Sequence, residues 1–304
     1  MRKYRENHEL GIVREFADLL SIPNVASDSE NIRKNADHIR KIMQQRGIQT
    51  RLLENGDAPP AVYGELKAEH PKRTLGVYVH YDGQPVDPTQ WADGPWTPVL
   101  RDGPVEQGGK VIDISGLLPP LNPEWRIYAR SAGDDKAPIE GILAAIDALR
   151  AAKIPITSDL KFLFEGEEEA GSPHLGELMK NNVDLLRADV WLFCDGPVHQ
   201  SRRMQVFFGV RGVTGLEMTV YGPLRVLHSG HYGNWAPNPL SLLANLLAGM
   251  RDMDGKIKIA GFYDRVRPLT DAEKKALADV PDVDKELKDS FGLAWTESEG
   301  KSLV

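Results

Sequence analysis

Residues 137–166, APIEGILAAIDALRAAKIPITSDLKFLFEG, combine a predicted helix and a predicted strand, and they are the most informative stretch for the fold class. The first half is predicted to be a helix opened by Pro138, because proline is tolerated in the first turn of a helix. The run LKFLFEG at 160–166 is apolar on both faces, which is typical of a strand in a sheet covered by helices. The stretch therefore predicts an α/β domain.

Helices and strands also alternate on both sides of this stretch. Apolar residues at helical spacing predict a helix over 5–20, and a second amphipathic helix is predicted from Ser29, as its N-cap, to Gln45. Strand-like apolar runs stand at 49–54, 61–67, 74–82 and 188–196. Residues 1–204 are therefore predicted to form one domain, which a Gly- and Pro-rich stretch at 83–125 interrupts.

The pattern changes near Gln205. The runs QVFFGV at 205–210 and GLEMTVYG at 215–222 alternate in a way that favours antiparallel strands, and the apolar helix PLSLLANLLAGM follows at 239–250. We expect a second, α+β domain over 205–304 that is incomplete.

Composition excludes several classes of protein. The chain has 304 residues, 41% of them hydrophobic and 27% charged, and its formal charge of −7 argues against general binding to nucleic acids or anionic membranes. No apolar run approaches the roughly 20 residues that span a bilayer, and the N-terminus does not resemble a secretory signal, so a cytoplasmic location is expected. The single cysteine, Cys194, is predicted to be a buried and inert thiol. Any metal is therefore expected to use His, Asp and Glu.

Four polar clusters stand beside predicted strands or helices. They are HYD at 80–82, GDD at 133–135, EGEEE at 165–169 and Asp195. Taken singly, each has a structural explanation. HYD fits a core or surface pair and GDD fits a helix cap. EGEEE fits a solvated acidic turn, and Asp195 fits an Asp-Gly turn. Taken together, they fall where open α/β sheets bind ligands, beyond the carboxyl ends of strands. One histidine with several carboxylates suits Zn²⁺, Mn²⁺ or Co²⁺ in a hydrolytic site.

The strings VHYDGQPVD, GDDKAP, EGEEEAGS, FCDGP and LHSGHYGN resemble, in order and approximate spacing, the M20 family of metallopeptidases. This family includes carboxypeptidases, aminoacylases and carnosinase-type dipeptidases, and the LHSG motif is most similar to the dipeptidase branch. The resemblance implies a phosphorylase/hydrolase-like catalytic domain, with a mixed sheet flanked by helices, and a partial dimerisation (lid) domain. It also implies a zinc-dependent hydrolase that cleaves an amide bond of a dipeptide or N-acyl amino acid.

The resemblance also implies a role for individual residues. Two Zn²⁺ ions per intact site are expected, with Mn²⁺ or Co²⁺ as alternatives. The implied metal ligands are His80, Asp134 as the bridge between the ions, Glu169 for one ion and Asp195 for the other. The implied catalytic residues are Glu168 as the general base, Asp82 as the partner that orients the histidine, and His228, which reaches across a homodimer interface to the substrate oxyanion.

The chain departs from the family pattern in its length. Family members are usually longer, with a final metal-binding histidine after the inserted domain, and no histidine follows Asp271 here. We therefore expect a C-terminally truncated chain with one nearly complete metal site and one impaired site. An inactive homologue that only folds or dimerises is the alternative, and a glycosidase using two of the glutamates is a weaker one because it leaves the His and Asp clusters without a role.

Overall fold

The computed structural model describes residues 2–210 and 212–297. The chain divides into two compact units, Met1–Gly196 and Pro197–Val304. The predicted boundary at 204/205 lies a few residues beyond this division, in a stretch without helix or strand.

The first unit contains eight described strands and four described α-helices. The strands are β1 Gln49–Leu53, β2 Ala61–Leu66, β3 Thr74–His80, β4 Val99–Arg101, β5 Val111–Ile112, β6 Arg126–Tyr128, β7 Asp159–Glu165 and β8 Val190–Phe193. The helices are α1 Arg2–Leu20, α2 Ser29–Gln45, α3 Lys136–Ala151 and α4 Leu175–Asn181. The bounds of α2 match the prediction, but its N-cap is Asp28 rather than Ser29, because the Asp28 carboxylate accepts the hydrogen bond from the Asn31 N–H.

A mixed five-stranded sheet forms the centre of this unit, in the order β1-β2-β7-β3-β8. Strands β7, β3 and β8 are parallel, whereas β2 is antiparallel to its neighbours β1 and β7. The predicted mixed sheet flanked by helices is confirmed. The stretch at 83–125 is not a plain loop, because β4 and β5 within it join β6 in a small antiparallel sheet.

The two faces of the large sheet are buried by different helices. Phe162 and Phe164 point to one face and cluster with Leu143 of α3, while Leu163 between them clusters with Leu178 of α4 on the other. This arrangement explains why the run LKFLFEG has apolar side chains on both faces. It also holds the carboxyl ends of β3, β7 and β8 at one edge of the sheet.

The second unit is helical in its described part. Its helices are α5 Ser229–Tyr232, α6 Pro239–Met250, α7 Asp271–Ala278 and α8 Asp284–Phe291. The prediction of strands at 205–210 and 215–222 is wrong, since both runs lack regular structure. Their apolar side chains are unburied, Phe208 being 99% exposed, and a strand pair without a covered face is not stable on its own.

No helix in the described part of either unit has the length and apolar character needed to cross a membrane.

A buried carboxyl group on α3 gives a stability prediction. Glu140 is 4% exposed, and its burial, followed by the negative charge of Glu15, raises its pKa to about 8 although Arg46 opposes the shift. A carboxyl group whose pKa is raised by folding contributes its full stability below its unfolded pKa, which is near 4.5. This contribution is lost as the pH rises through the folded pKa. Glu140→Gln should therefore raise the free energy of unfolding by roughly 1–3 kcal/mol at pH 8.5 and by little at pH 4.

Urea unfolding at the two pH values measures this difference. Glu106→Gln, at an exposed position, is the matched control and should have little effect at either pH. An equal effect of Glu140→Gln at pH 4 and pH 8.5 would show that Glu140 does not titrate with folding.

Candidate metal centre

His80 lies at the carboxyl end of β3, between β7 and β8, and is 1% exposed. Its Nδ1 atom is 3.4 Å from an Asp82 carboxylate oxygen. Its Nε2 atom is 2.9 Å from Asp134 Oδ1 and 3.9 Å from both Glu168 Oε2 and Asp195 Oδ2. One imidazole nitrogen therefore faces three carboxylates that come from three different loops.

The electrostatics of this histidine favour positive charge at the strand ends. Burial alone would lower the pKa of His80, but Asp82, Asp135 and Glu168 outweigh it and raise the pKa to about 10. A cluster with this many carboxylates is stabilised by a cation, whether a proton on His80 or a metal ion bound by its neutral nitrogen.

Asp82 connects the end of β3 to the glutamate turn. Its carboxylate is fully buried and accepts hydrogen bonds from the backbone N–H groups of Glu168 at 3.1 Å and Glu169 at 3.0 Å. The same carboxylate faces His80 Nδ1. A histidine whose second nitrogen faces a carboxylate is the usual arrangement for a metal-bound imidazole.

The two consecutive aspartates before α3 have different surroundings. The Asp134 side chain is 71% exposed and reaches His80 Nε2. Asp135 is 1% exposed, and its carboxylate accepts a hydrogen bond from the His80 backbone N–H instead of capping α3. Burial raises the pKa of Asp135 to about 7, while His80 opposes the shift. Helix capping therefore does not explain this Asp-Asp pair.

The described residues contain one group of side chains whose ligand atoms are close enough to share a metal ion. It consists of His80, Glu168 and Asp195, with all ligand atoms within 4.8 Å of one another. The Asp134 carboxylate is hydrogen-bonded to the same histidine. A single imidazole with carboxylate oxygens and no thiolate fits a divalent ion such as Zn²⁺ or Mn²⁺.

Other predicted or neighbouring residues lie outside this group. The Glu169 carboxylate accepts a hydrogen bond from the Gln84 side chain at 2.7 Å. Glu165 accepts one from Tyr78, and Glu167 binds His174, so these two buried glutamates have structural partners.

His228 belongs to the second unit, where it precedes α5 and its Nδ1 accepts the Gly230 N–H at 3.1 Å. Cys194 is half-buried, and burial raises the pKa of its thiol to about 11, in keeping with the predicted inert cysteine.

Gly83, which follows Asp82, is held in a position where a side chain does not fit. A Cβ atom there would lie 2.4 Å from Ser131 Oγ and 3.1 Å from Arg130 Cδ. Gly83→Ala is therefore expected to lower the free energy of unfolding by about 1–3 kcal/mol, and to weaken zinc binding because it displaces the turn that carries Asp82.

Thermal unfolding and zinc titration of the variant measure both effects. Gly11→Ala in α1 is the matched control, because a Cβ atom at Gly11 meets no atom within 4 Å and alanine favours a helix. The control should gain stability. A Gly83→Ala variant as stable as the wild type would contradict the close approach of Gly83 to Ser131 and Arg130.

Histidine and carboxylate side chains at the carboxyl ends of a mixed α/β sheet are the arrangement expected of a metal-dependent hydrolase. Residues 76–280, more than half of the chain, match the model of peptidase family M20/M25/M40. The chain belongs to this family, which confirms the resemblance seen in its motifs.

Individual relatives agree with this assignment. The Cys-Gly metallodipeptidase of Schizosaccharomyces pombe is 27% identical over 293 residues, which cover 95% of this chain and 57% of that protein. The Beta-Ala-His dipeptidase of Homo sapiens is 30% identical over 218 residues, 71% of this chain and 39% of that protein. The crystal structure of an M20 family metallo-carboxypeptidase from Sulfolobus solfataricus is 28% identical with a TM-score of 0.73, covering 95% of this chain and 61% of that one. The chain therefore spans about half the length of such relatives.

Sequence reasoning missed three residues around this centre, Asn24, Gln84 and Ser131. Gln84 stands two positions after Asp82, so its closeness to the centre is predictable from the sequence. Ser131 stands three positions before Asp134, so the same holds for it. Asn24 is far from every motif in sequence, and its contacts depend on the tertiary fold.

Proposed function

We propose that this chain provides the metal-binding catalytic part of a dipeptidase, which hydrolyses the amide bond of a dipeptide or N-acyl amino acid. The observation that carries the proposal is the approach of three carboxylates to His80 Nε2 at the ends of parallel strands. The names of the two sequence relatives, both dipeptidases, support the choice of substrate class.

The ligand sets of two ions follow from the predicted roles. His80, Asp134 and Asp195 would hold one ion, and Asp134 with Glu169 would hold part of the other. The donor chemistry favours zinc, and manganese and cobalt also fit it. When bound, the two ions supply Lewis acidity toward the substrate carbonyl and lower the pKa of water. The three carboxylates offset most of the positive charge of two divalent ions.

Glu168 is the proposed general base. Its side chain is 37% exposed, so it is in contact with both solvent and the site. Burial, with the charges of Asp195 and Glu169, raises the pKa of its carboxyl although His80 opposes the shift. A carboxylate of raised pKa is suited to take a proton from water and to pass it to the leaving amine.

Asp82 has a proposed orienting role. It faces His80 Nδ1 and so leaves Nε2 directed at the carboxylates. Its bonds to the N–H groups of Glu168 and Glu169 fix the start of the turn that presents both glutamates. Removal of such partners typically lowers metal affinity about 10- to 100-fold.

The remaining elements of the proposal rest on the family resemblance. The second unit would form a homodimer, in which His228 contacts the substrate oxyanion in the site of the partner subunit. A cytoplasmic location and small peptide substrates complete the proposal, with neither nucleic acid nor membrane as a partner.

Hydrolysis assays after metal loading test this function. The chain is incubated with Zn²⁺, Mn²⁺ or Co²⁺ and then with the dipeptides Cys-Gly and β-Ala-His and an N-acetyl amino acid. We expect cleavage of at least one dipeptide, its loss on chelation and its return on adding metal. Tight metal binding without cleavage of any of these substrates would favour the inactive homologue.

A further inference from the structure

Asn24 is a fully buried side chain in the connection between α1 and α2, remote in sequence from every predicted ligand. Its amide nitrogen donates to the Tyr81 carbonyl and to Ser131 Oγ, both at 2.8 Å. Its amide oxygen accepts the Trp96 indole N–H at 3.1 Å, and its backbone carbonyl accepts the Gly83 N–H at 2.9 Å. Both amide donors and the amide acceptor are therefore in use.

These contacts surround Asp82. Asn24 holds the carbonyl of the preceding residue, Tyr81, and the N–H of the following residue, Gly83. Ser131 Oγ donates to the Asp82 carbonyl itself at 3.4 Å. The backbone of Asp82 is thus fixed from both sides, whereas its carboxylate is directed at the metal centre.

The same asparagine connects a second loop to this turn. Ser131 is 5% exposed, and its carbonyl accepts the N–H of Lys136, the first residue of α3. The short loop between Ser131 and Lys136 contains Asp134. Asn24 therefore joins the loop that carries Asp82 to the loop that carries Asp134.

We propose that Asn24, acting with Ser131, is a positioning residue of the metal centre: it sets the place of the Asp82 turn and, through Asp82, that of His80 and the glutamate turn. This inference rests on the proposed function for its metal-binding consequence. Asn24 itself is not a ligand, because its hydrogen bonds are directed at Tyr81, Ser131, Gly83 and Trp96. A buried amide with all its donors used holds one geometry, because any displacement leaves a polar group unpaired.

Cobalt titration, followed by the visible absorption of bound Co²⁺, compares three variants with the wild type. Asn24→Ala removes the amide, and Ser131→Ala removes one of its partners while leaving Asn24 in place. Leu178→Ala truncates a core side chain on the α4 face of the sheet, so it lowers stability without removing any of these contacts and is the control.

We expect Asn24→Ala to weaken cobalt binding about 10- to 100-fold and Ser131→Ala to weaken it in the same direction. Leu178→Ala should bind cobalt within about threefold of the wild type. If Asn24→Ala does not fold, the cobalt affinity of Ser131→Ala alone tests the proposal. Cobalt affinities of the folded Asn24 and Ser131 variants that equal that of Leu178→Ala would overturn the proposal.

Hydrogen exchange of the metal-free proteins provides a readout that does not depend on metal. The amides of Glu168 and Glu169, which donate to Asp82, should exchange at least about tenfold faster in Asn24→Ala than in Leu178→Ala. A wild type that binds no cobalt would refute the proposed function, and amide exchange would then decide the positioning role alone. Equal exchange in the two variants would contradict that role.

Discussion

Glu168→Gln is expected to lower dipeptide hydrolysis by about 100- to 10,000-fold while the amount of bound zinc stays unchanged. The amide keeps the size of the side chain but no longer accepts the proton of the attacking water. Its neighbours should be undisturbed, because the bond from Glu168 to Asp82 is made by the backbone N–H rather than the side chain. Steady-state kinetics and metal analysis of the same sample measure the two quantities together.

The zinc content is the decisive half of this experiment. Glu168 lies in the group that includes His80 and Asp195, so its position is also compatible with a ligand. Loss of zinc in Glu168→Gln would contradict the base role and assign Glu168 to the metal. Glu169→Gln is the matched control on the next residue. It should lower the zinc content, because Glu169 is a proposed ligand of the second ion.

Asp134→Ala is expected to reduce zinc affinity by at least about 100-fold, because this carboxylate is proposed to contact both ions. The variant should fold normally, since the side chain is 71% exposed and surface substitutions usually change stability by less than about 0.5 kcal/mol. Thermal unfolding with and without zinc separates the two effects. Ligand at 100 times its dissociation constant stabilises a protein by about 2.7 kcal/mol, so the wild-type midpoint should rise and that of the variant should not.

An equal rise of both midpoints would show that zinc binds elsewhere. Asp184→Ala, at an exposed position beyond α4, is a suitable control and should keep the full zinc-dependent shift. The comparison therefore distinguishes loss of the site from a general effect of removing one negative charge.

The centre of the large sheet is predictable from sequence because β3 and β7 are buried on both faces. The runs at 74–82 and 160–166 contain β3 and most of β7, and their parallel pairing brings His80 and the glutamate turn to one edge. The approach of Asp195 follows from the same pairing through β8. Local pattern and the geometry of parallel strands are sufficient for this part of the site.

Other features depend on contacts that sequence patterns do not reveal. The EGEEE run does not show which glutamates face the site, since the hydrogen bonds of Glu165 with Tyr78 and of Glu167 with His174 form only in the folded chain. Asn24 meets Tyr81 across 57 residues and Ser131 across 107 residues.

The prediction of strands at 205–210 and 215–222 was wrong for a different reason. Alternation predicts a strand only where partner strands and a covering layer are present, and the side chains of these runs are largely exposed.

X-ray absorption at the zinc edge of the zinc-loaded chain is the most direct test of a centre made by His80 and the carboxylates. We expect nitrogen and oxygen scatterers at about 2.0–2.2 Å, an imidazole contribution that disappears in His80→Ala, and no sulfur at about 2.3 Å. A sulfur shell, or an imidazole signal that survives in His80→Ala, would contradict the assignment of the metal to these strand ends.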